Sequence, residues 1–241
     1  MTQIQAIIFD LDDTLYPERE YAWSGFRAVA ATHQNELGED QDQTVAGLQR
    51  LFDGDNRTRV FDAFLTERFG EIDRPLLEKM IQTYRRHPPV IVPYPDVDAA
   101  LARWHGKYKL GLITDGRPEG QWAKIDALHL RPRLDHIIVT SDLCKPRTSV
   151  SADTAASSAA PFSKPHPRAF EDMARHLGVP PHRCVYVADN LDKDFVAPNA
   201  LGWLTIRIAR PGGVYCDATC SETGQPAQTI QSLDELDPLL K

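Results

Sequence analysis

Residues 7–16 read IIFDLDDTLY, an apolar run that ends in a cluster of aspartates. The run 7–9 predicts a strand covered on both faces, because it is continuous and is bounded by a turn signal. Asp10, Asp12 and Asp13 follow it directly, and like charges held this close resist joint ionisation. A protein tolerates such a cluster where a cation neutralises it or where chemistry uses it. The alternative is that Asp12, Asp13 or Thr14 only caps a helix.

The composition is that of a globular protein with its own hydrophobic core. The chain has 241 residues, of which 25% are charged and 42% hydrophobic, enough for one large or two smaller domains. The net charge of −7 argues against a nucleic-acid partner, since no basic excess is present to meet a phosphate backbone. A small anionic substrate remains compatible with a site that is locally positive.

Targeting signals and cysteine frameworks are not recognisable. The longest apolar stretches have the length of strands, and the N-terminus lacks a basic region followed by an apolar segment, so we expect no membrane partner and a cytoplasmic protein. Cys144, Cys184, Cys216 and Cys220 are too few and too scattered for a disulfide framework. Cys216 and Cys220 alone would form half a zinc site.

Strand-like and helix-like segments alternate along much of the chain. The predicted strands are Ala6–Asp10, Leu110–Thr114, His136–Thr140, Cys184–Ala188 and Trp203–Ile208, and the predicted helices are Pro95–His105, Glu119–Leu128 and Pro167–Leu177. Such alternation predicts an α/β fold, a Rossmann-like parallel sheet with helices on both faces. Ligands bind at the carboxyl ends of such strands, so we expect Asp10, Asp12, Thr114, Asp115 and Asp189 to converge on one edge.

A long tract between the first two strands has apolar residues at helical spacing only. It ends in proline-rich punctuation around residues 87–95, which is typical of a crossing into another module. We therefore expect a helical domain at residues 17–92, inserted into an α/β core made of residues 1–16 and 93–241.

Two Lys-Pro pairs compete for the role of a site lysine. Lys145 is followed by a Ser/Ala-rich stretch that would make a poor amphipathic helix, whereas Lys164 leads into a well-patterned one, so we assign the role to Lys164. Residues 145–163 then form an insertion with few large apolar residues, predicted to be a loop. Its role is left open between a substrate loop and a passive insertion.

Four short elements occur in one order: the aspartates of residues 10–14, Thr114-Asp115-Gly116, Lys164-Pro165, and an acidic segment from Asp189 to Asp194. This order resembles the haloacid dehalogenase superfamily, in its phosphatase branch with a helical cap inserted after the first strand. The resemblance covers nearly the whole chain, and the motifs are specific jointly rather than singly.

The resemblance implies a reaction and a metal site. Asp10 would be the nucleophile that forms an aspartyl phosphate, and Asp12 would protonate the leaving oxygen and then deprotonate water. That second role needs a carboxyl able to hold a proton near neutral pH, which we expect burial beside other carboxylates to provide. Mg²⁺ would be bound by Asp10, the Asp12 carbonyl and Asp189. Asp194 would stand behind these ligands and orient Lys164 or a water on the metal.

The resemblance also implies how phosphate is held. Thr114 would contact a phosphate oxygen through its hydroxyl, assisted by backbone N–H groups near Asp115 and Gly116. Lys164 would neutralise the charge of Asp10 and of the phosphoryl group. Asp13 is expected to point away from the site.

We therefore expect a Mg²⁺-dependent phosphomonoester hydrolase that acts on a small metabolite, a sugar phosphate or a nucleotide, as a monomer or a homodimer. A phosphomutase with the same chemistry and a catalytically silent binding protein are the alternatives. Asp12 disfavours carbon–halogen cleavage, because a halide leaving group needs no proton. Arg57, Arg59 and Arg117 are candidates for contacts with further anionic groups of a substrate.

Overall fold

The computed structural model of the chain describes residues 3–38, 40–54, 56–144, 161–214 and 222–241. The chain folds as two compact units, one made of Met1–Glu18 with Val92–Lys241 and the other of Arg19–Ile91. We call them the sheet unit and the helical unit. Lys145, most of the Ser/Ala-rich insertion, Cys216 and Cys220 lie outside the described residues.

The sheet unit is built on six parallel strands. They are β1 (Ala6–Phe9), β2 (Lys109–Thr114), β3 (His136–Val139), β4 (Cys184–Ala188), β5 (Leu204–Ile208) and β6 (Gln228–Ile230), in the spatial order β3-β2-β1-β4-β5-β6. The first strand is therefore central, and it pairs with β2 on one side and with β4 on the other. The predicted parallel α/β fold is confirmed.

Helices connect the strands and build the second unit. In chain order they are α1 (Glu18–Thr32), α2 (Gln34–Leu37), α3 (Gln41–Asp53), α4 (Val60–Phe69), α5 (Arg74–Arg86), α6 (Val97–Trp104), α7 (Pro118–Ala127), α8 (Arg168–Leu177) and α9 (Val196–Ala200). None of the helices in the described parts of the chain is long and apolar enough to cross a membrane.

Alternate side chains of β1 are buried against helices on opposite faces of the sheet. Ile8 belongs to a core cluster with Phe170 and Met173 of α8. Phe9 stacks on Trp104 of α6, with ring centroids 6.0 Å apart on the other face. Both faces of the strand are thus covered, which explains why its sequence is continuously apolar instead of alternating.

The sixth strand was not predicted from the sequence. It has three residues at the edge of the sheet, and Gln228 and Thr229 are exposed while Ile230 is buried. So short an edge strand carries almost no hydrophobic pattern, and its position is set by pairing with β5.

The helical unit has an apolar core of its own. Its centre is Phe26, whose ring makes edge contacts with Phe52 and Phe61 at 5.9 and 6.0 Å. Asp40 and Asp73 begin α3 and α5 by accepting backbone N–H groups with their carboxylates. The tract between the first two strands is therefore helical, as its periodic spacing predicted.

The loop that leaves β1 is fixed by other segments of the sheet unit. Leu15 O accepts the N–H of Tyr94 at 3.0 Å, which joins the departing chain to the returning one. The buried guanidinium of Arg210 donates to Thr14 O at 3.0 and 3.2 Å and pairs with Asp96 at 2.7 Å. These bonds set the path of the aspartate loop before any ligand binds.

Candidate active site

A buried lysine from the segment before α8 lies beside the aspartates that follow β1 and β4. Lys164 Nζ lies 2.7 Å from Asp10 Oδ1 and 2.6 Å from Asp194 Oδ1, and its side chain is 0% exposed. It also donates to the Tyr186 hydroxyl at 3.0 Å. Burial alone would lower the pKa of Lys164, but Asp10 and Asp194 outweigh it and raise this pKa well above its ordinary value. The lysine is therefore a permanent cation beside Asp10.

Three buried carboxylates surround this cation. Oxygens of Asp10, Asp189 and Asp194 all lie within 4.8 Å of one another. Burial, followed by repulsion from Asp10 and Asp194, raises the pKa of Asp189 to about 9. Burial also raises the pKa of Asp10 to about 7, because its own desolvation and the repulsion from Asp194 outweigh the attraction of Lys164 and Lys193. A hard divalent cation would relieve this repulsion, so the donor set suits Mg²⁺.

The side chain of Asp12 lies in a separate set of contacts. Its Oδ1 accepts hydrogen bonds from Lys124 Nζ at 2.7 Å and from the Tyr16 hydroxyl, and its Oδ2 accepts one from Gln121 Nε2 at 3.3 Å. Burial raises the pKa of Asp12, but Lys124 and Tyr16 outweigh burial, so the net pKa is lowered. We expected burial beside carboxylates to keep a proton on Asp12, whereas Lys124 and Tyr16 stabilise its charged form here.

Asp13 has a structural role. Its backbone has a φ of 51°, and its carboxylate accepts the N–H groups of Glu18 and Val214, each at 2.8 Å. It thereby ties the aspartate loop to the segment that follows β5. Its charge also contributes to the raised pKa of Asp189, after burial, Asp10 and Asp194, so Asp13 acts on the site electrostatically.

The end of β2 presents a buried hydroxyl without a partner. Thr114 is 0% exposed, and its Oγ1 makes no hydrogen bond to any residue that the structure describes. An unpaired buried hydroxyl costs free energy, on the order of 1–3 kcal/mol. A phosphate oxygen would satisfy it.

Asp115 and Gly116 hold the loop after β2. Asp115 Oδ1 accepts from the Thr140 hydroxyl at 2.7 Å and from the Lys164 N–H at 3.2 Å, so its carboxylate faces protein groups. Gly116 has a φ of 139°, and a Cβ there would overlap the amide of Gln121. The backbone conformation at Gly116 favours glycine, and a Cβ there would displace the Gln121 side chain.

Four residues at this edge were missed by sequence reasoning: Tyr16, Lys124, Tyr186 and Lys193. Lys193 Nζ lies 3.5 Å from Asp115 Oδ2, and Asp10, Asp194 and Asp115 keep its pKa raised in spite of burial and Lys164. The only signal for Lys124 in the sequence was its place beside Ile125 in a predicted helix, and both residues are buried in the structure. Only the structure shows that Lys124 contacts Asp12.

The arginines considered as substrate contacts are placed as follows. Arg57 covers the ring of Phe52 at 4.7 Å and Arg59 pairs with Asp62 at 3.1 Å, both within the helical unit. Arg117 is exposed at the start of α7 in the sheet unit. Their role as substrate contacts stays a prediction.

Comparison with known proteins identifies the family of the chain. Residues 4–202 match the family model described as haloacid dehalogenase-like hydrolase. Glyceraldehyde 3-phosphate phosphatases of Methanocaldococcus jannaschii and Methanopyrus kandleri are 30% and 31% identical to the chain. The first alignment covers 99% of this chain and 97% of the relative, and the second covers 89% and 87%. The fold is similar to that of YfnB of Bacillus subtilis, a HAD-hydrolase solved with magnesium, with a TM-score of 0.67, 18% identity and full coverage of both chains.

Proposed function

The chain belongs to the haloacid dehalogenase-like hydrolases and is a phosphatase of that superfamily, and we propose that it hydrolyses a small sugar phosphate through an aspartyl phosphate on Asp10. One observation carries this proposal: the buried ammonium of Lys164 lies 2.7 Å from Asp10 Oδ1 at the carboxyl edge of the sheet. A fixed cation at this point lowers the cost of bringing an anionic phosphoryl group to a carboxylate.

In the first step, an Asp10 carboxylate oxygen attacks phosphorus and forms a P–O bond. The bond from phosphorus to the ester oxygen breaks, and the ester oxygen takes a proton from the Asp12 carboxyl and leaves as an alcohol. This step requires the negative charge of the bound phosphate ester to raise the pKa of Asp12, which Lys124 lowers when no substrate is present. Asp12 lies two residues after Asp10, on the same loop, and its side chain is held by Tyr16 and Lys124 rather than by Lys164. The two carboxyls therefore have separate partners, as separate roles require.

In the second step, water attacks the phosphorus of the aspartyl phosphate. Its proton passes to the Asp12 carboxylate, the bond from phosphorus to Asp10 breaks, and inorganic phosphate is released. Asp10 returns as a carboxylate and Asp12 as a carboxyl, so the cycle closes without a further reactant.

Two groups would hold the phosphoryl oxygens during both steps. Lys164 supplies a charge, and the Thr114 hydroxyl supplies a donor that has no hydrogen bond in the described part of the chain. Backbone N–H groups near Asp115 and Gly116 would add to them, since Gly116 lets the chain come close to a ligand.

Mg²⁺ would be held by the carboxylates of Asp10 and Asp189 together with the backbone carbonyl of Asp12. When bound, it supplies positive charge that neutralises the phosphoryl oxygens. The raised pKa of Asp189, caused by burial and then by Asp10 and Asp194, supports a cation at this place. Asp194 pairs with Lys164 and so fixes the lysine rather than the metal.

The substrate class is inferred from the relatives. Two glyceraldehyde 3-phosphate phosphatases align with almost the whole chain, so a short sugar phosphate is the first class to test. We propose that the helical unit, residues 19–91, acts as a cap that selects among such substrates.

The test measures inorganic phosphate released from glyceraldehyde 3-phosphate, longer sugar phosphates, nucleotides and an aryl phosphate, with Mg²⁺ and with EDTA. We expect Mg²⁺-dependent release, with a sugar phosphate turned over most efficiently. Lack of phosphate release from every ester would overturn the proposal, and so would conversion of a sugar phosphate into an isomer without free phosphate.

A further inference from the structure

Helix α7 sends two polar side chains into the aspartate loop. Gln121 and Lys124 are both buried, and they stand three residues apart, on the same side of the helix. A buried lysine is costly unless it meets an opposite charge, and the partner here is the Asp12 carboxylate, 2.7 Å away. The helix therefore has a polar side chain directed at one particular aspartate.

The contacts with Asp12 define its orientation almost completely. Oδ1 accepts from Lys124 and from the Tyr16 hydroxyl, while Oδ2 accepts only a longer bond, at 3.3 Å, from Gln121. The same amide nitrogen also donates to Asp115 O at 2.7 Å, so its shorter bond is to the backbone and not to Asp12. One carboxylate oxygen is thus held firmly, and the other keeps capacity for a further partner.

We propose that Lys124 is a positioning residue that orients the Asp12 carboxyl for proton exchange with the leaving oxygen. The proposal rests on the phosphomonoester hydrolysis inferred above and adds a residue from outside the four sequence motifs. By holding Oδ1, Lys124 fixes the rotation of the carboxyl about its own bond, and Oδ2 is then the oxygen that faces the reaction. Lys124 itself touches neither the substrate nor the phosphoryl group in this account.

Substrates whose leaving groups differ in acidity can distinguish a residue that orients Asp12 from a residue that only stabilises the fold. An alkoxide is a poor leaving group and depends on a proton from Asp12, whereas an acidic nitrophenoxide leaves without one. General acid catalysis contributes about 100- to 10,000-fold where it is needed. Misorienting Asp12 should therefore slow alkyl phosphates far more than nitrophenyl phosphate.

The experiment compares kcat/KM for a sugar phosphate and for p-nitrophenyl phosphate in Lys124→Met, Lys124→Arg and the unchanged enzyme. For Lys124→Met we expect a loss at least about tenfold greater for the sugar phosphate, as misplacement of a general acid implies. Lys124→Arg keeps a donor to Asp12 and should restore most of the kcat/KM ratio between the sugar phosphate and p-nitrophenyl phosphate. Tyr16→Phe removes the other donor to Asp12 Oδ1, so it should also lower kcat/KM for the sugar phosphate more than for p-nitrophenyl phosphate.

The matched control is Lys109→Met, which removes an exposed lysine paired with Asp135 at the start of β2. It should leave both rates unchanged. An equal loss of kcat/KM on both substrates in Lys124→Met would overturn the positioning role. If Lys124→Met does not fold, an unchanged ratio of the two kcat/KM values in Tyr16→Phe would overturn it instead. Inactivity of the unchanged enzyme on both esters would instead overturn the proposed function, so the two failures are distinguishable.

Discussion

Lys164 Nζ and Asp10 Oδ1 lie 2.7 Å apart, although 154 positions separate the two residues in the chain. Asp10 follows the central strand, and Lys164 stands just before the helix that covers one face of that strand. The pair therefore forms only when the sheet and α8 are assembled. The charge balance of the site therefore depends on the packing of α8 against the sheet.

Lys164→Met should destabilise the protein as well as inactivate it. Removing one partner of a buried charge pair leaves Asp10 and Asp194 buried without the cation that contacts them, which costs about 3–5 kcal/mol. Urea unfolding followed by tryptophan fluorescence measures the loss. Lys109→Met is the control, since an exposed pair contributes only about 0–1 kcal/mol. Equal unfolding midpoints for the two variants would contradict the buried pair.

Thr114→Val should weaken phosphate binding without weakening the fold. The Thr114 hydroxyl is buried and has no partner among the described residues, so its removal should leave the ligand-free free energy of unfolding unchanged or raised. Inhibition by inorganic phosphate should weaken about tenfold, the worth of one hydrogen bond to a charged group.

Thr205→Val is the matched control for Thr114→Val. The Thr205 hydroxyl donates to Asn199 Oδ1 at 2.7 Å, so its loss should lower stability and leave phosphate inhibition unchanged. Loss of stability without loss of phosphate affinity in Thr114→Val would contradict the assignment of the hydroxyl.

Gly116→Ala should lower activity through Gln121. A Cβ at Gly116 would overlap the Gln121 amide, which is bonded to Asp115 O and to Asp12. Gly178→Ala is the control, because Gly178 also has a positive φ of 67° but has open space at the position of a Cβ. Both variants should lose about 1 kcal/mol of stability from backbone strain. Only Gly116→Ala should lose kcat, and equal activity of the two would exclude the contact.

The stability of the metal-free protein should fall as the pH rises between about 4 and 9. The pKa values of Asp10 and Asp189 are raised by burial to about 7 and about 9, so the folded state binds more protons than the unfolded state in this range. Stability is then fully present below the unfolded pKa near 3.8 and is lost through the folded values.

Thermal melts in EDTA across this pH range measure the effect. Adding Mg²⁺ should raise the melting temperature most at high pH, where both carboxylates are charged. Asp189→Asn should flatten the slope and reduce the response to Mg²⁺. A melting temperature that rises with pH in EDTA would contradict the raised pKa values.

The strands and the polar residues that follow them could be predicted from the sequence, because buried parallel strands are apolar and polar site residues come directly after their carboxyl ends. Residues 7–9, with the aspartates that follow them, therefore indicated both a strand buried on its two faces and a site. Lys164 could be chosen over Lys145 because the helix after it is amphipathic, and the structure places Lys164 beside Asp10. Lys145 lies outside the described residues.

Pairwise electrostatics could not be predicted in the same way. Whether Asp12 holds a proton depends on Lys124, which is 112 positions away and reaches Asp12 only through the packing of α7. The edge strand β6 was missed for a related reason, since its place depends on pairing with β5 and not on its own pattern. Local periodicity records which face of an element is buried, and it does not record what that face meets.

The most direct test of the account is to trap the phosphoryl group on Asp10. Enzyme mixed with a sugar phosphate and Mg²⁺ and quenched in acid within one turnover should carry one phosphoryl group, located by mass spectrometry in the peptide that contains Asp10. Asp10→Asn should carry none and release no phosphate. A phosphoryl group on another residue, or phosphate release by Asp10→Asn, would contradict the account.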